Sequence, residues 1–252
     1  MINVVVSGCN GAMGRVLTKA IEEMEDMTIV AGIDKNINSY KNAYPVYESP
    51  LSVKEECDVI IDFSKPSNLN GLLEYSVNNN IALVIATTGF SEEEEHKIKE
   101  ASKFTRIFKS SNMSLGVNVL INLSKQATNT LGNIADIEII EKHHNQKLDS
   151  PSGTALLLAD TIKDSISEET YYVHGRDGHK KRDKNEIGIH AVRGGSIVGD
   201  HDVIFAGTGE VIELSHKAIS RDVFAIGALK ACEYMATINV AGLYNMDDVL
   251  GL

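Results

Sequence analysis

The opening of the chain alternates short apolar runs with amphipathic stretches. Residues 2–7 form a run of Ile and Val that ends at a cluster of glycines, and a helical pattern covers about 14–24. Further apolar runs lie at 28–33, 58–63, 82–86 and 106–109, with helical patterns at 66–78 and 92–103. Apolar strands alternating with helices predict a parallel sheet covered on both faces. The pattern changes after Ser114. A long helix is expected over about 116–131, with Val117, Leu120, Ile121 and Leu123 among its apolar positions. A strand at 136–141 and a helix at about 154–165 follow. Strand-like runs at 187–192, 196–205 and 211–216 then succeed one another without helices between them. The last two flank Gly207-Thr208-Gly209, a hairpin signal. This second region therefore reads as an α+β domain, and a final helix at about 221–237 leads to a short tail.

Composition narrows the function classes. The chain has 252 residues and a formal net charge of −11, which argues against nucleic acid or an anionic membrane as the main partner. No apolar run approaches the ~18 residues of a membrane span, and the N-terminus shows no basic region or cleavage pattern. A soluble cytoplasmic protein is expected. The three cysteines, Cys9, Cys57 and Cys232, match no zinc spacing and suggest structural thiols in a reducing compartment. The acidic cluster 92–95 suits the start of a helix. Residues 179–184, HKKRDK, read as a solvated loop.

The glycine cluster is the first candidate site. Gly8, Cys9, Asn10, Gly11, Ala12, Met13 and Gly14 fall between the first strand and the first helix. Glycines there let backbone N–H groups approach a pyrophosphate, and the helix N-terminus favours its charge. The spacing is G-x-x-G-x-x-G, with Asn10 where the commoner form has a glycine. Asp34 ends the second strand, about 20 residues beyond the loop, where an acidic residue can hold the adenosine ribose. The neighbouring Lys35 could pair with a 2′-phosphate. Ala86, Thr87 and Thr88, and then Ser110, Ser111, Asn112 and Met113, follow the fourth and fifth strands. These loops suit either a nicotinamide site or ordinary turn chemistry.

The second candidate site lies within residues 138–155, EIIEKHHNQKLDSPSGTA. His143 and His144 begin the loop after the strand. On an extended chain, neighbouring side chains point in opposite directions, so the two histidines are expected to do different jobs. Histidine suits proton transfer near neutral pH, and Lys147 adds a positive charge and a second proton source. Ser152 is a plausible N-cap for the helix that follows. Gly153 permits close backbone approach, so a carboxylate-binding nest is expected there. A metal site built from His143, His144, Asp149 and His174 is disfavoured, because adjacent histidines do not converge on one ion as an i, i+4 pair does.

These residues carry a resemblance. The chain is similar to the 4-hydroxy-tetrahydrodipicolinate reductase family, formerly called dihydrodipicolinate reductase, of the diaminopimelate and lysine pathway. The family motif is Glu-(Ile/Val)-x-Glu-x-His-x-x-x-Lys-x-Asp-x-Pro-Ser-Gly-Thr-Ala. It is met at Glu138, Ile139, Glu141, His143, Lys147, Asp149, Pro151, Ser152, Gly153, Thr154 and Ala155. The likeness extends over the glycine loop, Ile61-Asp62-Phe63-Ser64, Thr87-Thr88-Gly89-Phe90, Val192-Arg193 and Ser220-Arg221-Asp222, and so covers nearly the whole chain.

The resemblance implies an α/β fold: an N-terminal Rossmann-type doubly wound parallel sheet plus an inserted α+β substrate and oligomerisation domain. Residues 1–114 and 220–252 would bind the dinucleotide, and 115–219 would bind substrate and build a homotetramer, with the domains closing over the substrate. The implied reaction is NAD(P)H-dependent reduction of a cyclic dicarboxylate, without a metal. The loop from Gly8 to Met13 would bind the pyrophosphate, and Asp34 and Lys35 the adenosine ribose end. Ala86 to Thr88 and Ser110 to Met113 would line the nicotinamide site. His143 would donate or accept a proton, Lys147 would donate one, and His144, Gly153 and Thr154 would bind substrate carboxylates. Asp34 stands where some members have glutamate, and Lys35 where some have arginine. Use of both NADH and NADPH is expected, with NADH at least as good. Two alternatives remain: a Rossmann reductase for another small dicarboxylate or amino acid, and a nucleotide-sensing protein without catalysis.

Overall fold

Val4, Val5 and Val6 lie on β1 (Ile2–Ser7), and all three are fully buried. A strand buries successive residues only when both of its faces are covered. The computed structural model describes residues 1–252. After β1 come α1 (Ala12–Glu22), β2 (Met27–Ile33), β3 (Val46–Tyr47), β4 (Val59–Asp62), α2 (Leu69–Asn79), β5 (Ala82–Ile85), α3 (Glu92–Ala101) and β6 (Arg106–Lys109). The middle of the chain forms α4 (Leu115–Leu131), β7 (Asp136–His143), α5 (Gly153–Asp164), β8 (Tyr171–His174), β9 (Glu186–Arg193), β10 (Gly199–Ala206) and β11 (Val211–Ala218). The chain closes with α6 (Asp222–Thr237), β12 (Gly242–Tyr244) and α7 (Met246–Leu250). It divides into two units, residues 1–115 with 221–252, and residues 116–220. No helix is long and apolar enough to cross a membrane.

The first unit holds a seven-stranded sheet in the order β12-β6-β5-β4-β1-β2-β3, with every pair parallel. Val4 and Val6 join Leu17 and Ile21 of α1 and Ala228 and Cys232 of α6 on one face. Val5 joins Leu72 and Leu73 of α2 and Ile98 of α3 on the other. The sheet is thus doubly wound, as its apolar runs predict. Strand order reverses between β1 and β4, which opens a crevice at their carboxyl ends. The acidic cluster opens α3 through a reciprocal cap between Ser91 and Glu94.

The second unit holds a mixed sheet in the order β11-β10-β7-β9-β8. Its central strand, β7, runs antiparallel to β10 and parallel to β9. Ile137, Ile139, Glu141 and His143 alternate onto the buried face of β7. There Ile137 and Ile139 pack with Leu120 of α4 and Leu158 and Ile162 of α5. Glu138, Ile140 and Lys142 alternate onto the other face and stay partly exposed.

Several boundaries differ from the sequence reading. β7 runs two residues beyond 141, so His143 ends the strand and does not begin the loop. The run expected from 196 starts only at Gly199. β3, β8 and β12 were not foreseen; each has two to four residues and lies at or beside a sheet edge. The basic cluster 179–184 is not simply solvated. Arg182 is half-buried and donates to Asp136 Oδ1 at 2.8 Å, Glu138 Oε1 at 2.9 Å and the Ile137 carbonyl at 3.1 Å.

This unit concentrates carboxylates that are wholly or partly buried. Burial pushes Glu138, Glu141 and Asp202 upward, but their partners outweigh it and hold all three below the usual carboxylate range. The partners are His190 and Arg182 for Glu138, Arg193 and His143 for Glu141, and Lys142 and Ser215 for Asp202. A depressed folded pKa adds stability above the unfolded value, and that stability is lost as pH falls through the folded pKa. The melting temperature should therefore hold near neutral pH and fall as pH drops below about 4. Circular dichroism melts from pH 7 to 3 check this; a flat profile would contradict it.

Candidate active site

In the first unit, backbone proximity builds the site. Gly8 has φ +78°, and a Cβ there would lie 2.5 Å from the Phe63 carbonyl oxygen. A Cβ on Gly14 would lie 2.1 Å from the Gly8 carbonyl oxygen. The loop is closed by Gly8 N–H to the Ile33 carbonyl at 2.8 Å and Gly11 N–H to the Gly8 carbonyl at 2.9 Å. α1 then starts after Gly11, which supplies no side-chain cap to its first turn. Ala12 is exposed and Met13 half-buried on that turn.

Asp34 is held against this loop. Its Oδ2 accepts from the Asn10 amide at 3.1 Å, and its Oδ1 accepts from the Asn36 amide at 2.8 Å. The Asn10 side chain donates to the Asn36 carbonyl at 2.7 Å and accepts from Asn42 at 2.9 Å, so it ties the loop to the segment after β2. A cleft of about 490 Å³ opens beside them, lined by Gly8, Gly11, Asp34, Lys35, Tyr40 and Ser64 among others. The Arg15 guanidinium sits 4.6 Å from the centre of the Tyr40 ring and donates to its hydroxyl at 2.6 Å.

Other expected cofactor residues divide by what their side chains already do. The Cys9 side chain is buried in the core, where burial first, with Asp34 adding to it, pushes its pKa to about 11; only its backbone belongs to the loop. The Thr87 hydroxyl is buried and accepts from the Ser64 amide at 2.9 Å, whereas Thr88 is exposed and Ala86 half-buried. Ser110 closes a turn onto Asn112, donating to its carbonyl at 2.8 Å and accepting from its amide at 3.3 Å. Asn112 Oδ1 accepts from the Ser114 amide at 2.9 Å. Ser111 is exposed, and the Met113 side chain is buried in the core. Turn chemistry thus occupies Ser110 and Asn112, while Thr87 ties its loop to the segment after β4. One residue given no role from sequence is Asp62, buried at the end of β4 with Ser64 Oγ donating to it at 2.5 Å. Burial pushes its pKa up.

The second unit gathers charged residues at the end of β7. His143 is buried, and its Nδ1 lies 2.7 Å from Glu141 Oε2. Arg193 from β9 grips both oxygens of Glu141 at 2.7 Å and donates to the Asp149 carbonyl at 2.8 Å. The Ser152 amide donates to Glu141 Oε1 at 3.0 Å, while its hydroxyl caps α5 by accepting from the Ala155 amide at 3.1 Å. That hydroxyl also lies 3.0 Å from Nε2 of the buried His201. Burial, followed by the neighbouring His143, pulls the His201 pKa down to about 4, so this ring is neutral at pH 7.

Around this core lie the expected substrate residues. His144 is half-buried in the loop after β7. Lys147 is mostly shielded and pairs with the exposed Asp149 at 2.9 Å. Gly153 is exposed at the start of α5, with nothing within 4 Å of an added Cβ, and Thr154 follows half-buried. His143, His144, Lys147, Gly153 and Thr154 thus all belong to one strand end, the loop after it and the helix that follows. Sequence reasoning quoted Glu141 and Arg193 as matched positions but gave neither a role, and it overlooked His201. The signal for Glu141 was its place in the alternating inward row after Ile137 and Ile139. Arg193 has no comparable local signal, because its partner lies 52 residues away.

Residues 2–113 match the family model described as Dihydrodipicolinate reductase, N-terminus, and residues 116–250 match the one described as Dihydrodipicolinate reductase, C-terminus. The chain belongs to the dihydrodipicolinate reductase family. A 4-hydroxy-tetrahydrodipicolinate reductase of Clostridium botulinum strain Eklund 17B is 59% identical over 252 residues, covering 100% of this chain and 99% of its own. One of Clostridium tetani strain Massachusetts / E88 is 57% identical, covering 99% and 97%. Among solved structures, the dipicolinate-bound dihydrodipicolinate reductase from Paenisporosarcina sp. TG-14 superposes with a TM-score of 0.83 at 25% identity, covering 98% of each chain. For a dihydrodipicolinate reductase, the first unit is the NAD(P)-binding Rossmann domain.

The tight glycine loop gives a direct check on cofactor binding. Gly14→Ala would force the Gly8 backbone to shift. We expect NADH affinity to fall about tenfold or more and stability to drop by about 1–3 kcal/mol, as for other overpacked sites. Fluorescence titration and thermal melting measure both; unchanged affinity would refute the role given to this loop.

Proposed function

We propose that the chain reduces (2S,4S)-4-hydroxy-2,3,4,5-tetrahydrodipicolinate to (S)-2,3,4,5-tetrahydrodipicolinate in the diaminopimelate route to lysine. One NAD(P)H and one proton are consumed, and NAD(P)⁺ and water are released. The observation that carries this reading is the grouping, on one strand end and the loop and helix after it, of a histidine anchored by a buried carboxylate, a shielded lysine and a helix start exposed at Gly153. That arrangement suits a substrate with two carboxylates that must also receive a proton.

Reduced nicotinamide, when bound, supplies the hydride to C4 of the dehydrated ring. The chain would do the rest. The N-terminus of α1 would face the pyrophosphate, and the Asp34 carboxylate would accept from the adenosine ribose hydroxyls. Ala86 to Thr88 and Ser110 to Met113 would border the nicotinamide, largely through backbone where their side chains are already engaged. His144, Gly153 and Thr154 would hold the ring carboxylates, the last two at the positive end of α5. His143 would exchange a proton at Nε2, and Lys147 would donate one from Nζ to the carbon next to the site of hydride addition.

Asp34 favours NADH, since a carboxylate repels a 2′-phosphate, while Lys35 offsets this and permits NADPH. The partly exposed face of the mixed sheet, with Ile140, Val192 and Ile204 among ion pairs, would meet other copies of the chain in a homotetramer.

His143→Gln and Lys147→Ala should each lower kcat by about 10²-fold or more while leaving the Kd for NADH within about twofold. Oxidation of NADH at 340 nm with freshly made substrate measures this, and near-normal turnover of Lys147→Ala would sink the site assignment. The same assay with each cofactor should give NADH a kcat/KM at least equal to that of NADPH; a strong NADPH preference would overturn the reading of Asp34. Sedimentation velocity should return a tetramer, and a monomer at micromolar concentration would remove the role given to the open sheet face.

A further inference from the structure

Glu141 has no solvent-exposed surface, yet four donors surround its two oxygens. Arg193 Nη1 and Nη2 each lie at 2.7 Å, one on each oxygen. The Ser152 amide reaches Oε1 at 3.0 Å, and His143 Nδ1 reaches Oε2 at 2.7 Å. A two-pronged guanidinium contact fixes both partners in orientation as well as in charge. An ionised carboxylate only accepts hydrogen bonds. The ring nitrogen facing it must therefore carry a hydrogen.

That requirement determines the other side of the ring. With Nδ1 permanently a donor, Nε2 is bare in the neutral ring and protonated only in the cation. The surroundings leave Nε2 room. It stands over Gly199 of β10, where an added Cβ would come within 3.0 Å of it. The His201 ring packs edge-on against His143 with centroids 5.2 Å apart, and it spends its own Nε2 on Ser152. The charged and titratable groups around the ring are thus Glu141 on its own strand, Arg193 on β9 behind Glu141, and His201 on β10. Asp202 and Lys142 pair on the opposite face of the sheet.

We infer that Glu141, clamped by Arg193, is a positioning residue that fixes the Nδ1–H tautomer of His143 and leaves Nε2 as its only proton-transfer atom. The inference deepens the reductase reading and rests on it for the kinetic consequence alone; the tautomer itself follows from the hydrogen bonds.

Nitrogen-15 NMR of the histidine rings reads the tautomer directly. In the wild type the neutral His143 ring should show a protonated Nδ1 and a bare Nε2. In Glu141→Gln the new amide can donate to Nδ1, so the ring should switch toward Nε2–H. In the same variant kcat should fall at least tenfold, with the Kd for NADH within twofold of wild type. Should that variant misfold because Arg193 is left unpaired, the double variant Glu141→Gln/Arg193→Gln removes both charges, and the same switch and the same kinetic split are expected. A wild-type ring protonated at Nε2, or a ring unchanged in the variants, overturns the inference. A switched tautomer with undiminished kcat supports it and instead removes His143 from the proposed proton transfer.

Discussion

A carboxylate sealed from water is tolerated only if its surroundings replace the solvent, and the second unit is arranged around that demand at Glu141. Arg193 from β9, the Ser152 amide at the head of α5 and the His143 ring together supply the missing hydrogen bonds. Three elements are thereby tied to one side chain. Breaking such a buried pair by removing one partner costs about 3–5 kcal/mol, because the remaining charge is left unpaired in a poor dielectric. The same contacts that hold the strand, the helix start and the neighbouring strand together also set the orientation of the histidine. Stability and chemistry are not separable there.

The first unit, the NAD(P)-binding domain, solves a different problem, that of bringing stretches of main chain close to one another. It does so by leaving side chains out. Gly8 and Gly14 leave no room for a Cβ, so the turn lies close against Phe63, just after β4, and against itself. Side chains re-enter only as braces. Asn10 spans to Asn36 and Asn42, and the Asp34 carboxylate is aimed by two backbone amides before any ligand arrives. A preset acceptor has less freedom to lose on binding. The buried Asp62 at the end of β4 holds Ser64, which lines the same cleft.

Much of this was legible in the sequence, for physical reasons. Strands buried on both faces are apolar along most of their length, so β1, β4 and β5 announce themselves, and a doubly wound sheet follows. The glycine loop was readable because steric exclusion acts within a few residues. What escaped detection depends on distant partners. β3, β8 and β12 are too short to show a period and exist because a neighbouring strand offers bonds. Arg182 sits among lysines and looks solvated, yet its acceptors on Asp136, Ile137 and Glu138 lie more than 40 residues away. The division of Ser110 and Thr87 from Thr88 and Ser111 depended on which hydroxyl met a backbone group, and spacing carries no trace of that.

The alternation along β7 has one more consequence. Ile137, Ile139, Glu141 and His143 share a face because a strand repeats every two residues. Slipping the register by one would put Lys142 and His144 inside and send Glu141 to the open face. The twin histidines would then exchange places, with a lysine where Arg193 expects an anion. Single-residue insertions or deletions in this strand are thus excluded in a way that substitutions at its open-face positions are not. The isoleucines act as a ratchet: by refusing water, they hold the histidine pair at one setting.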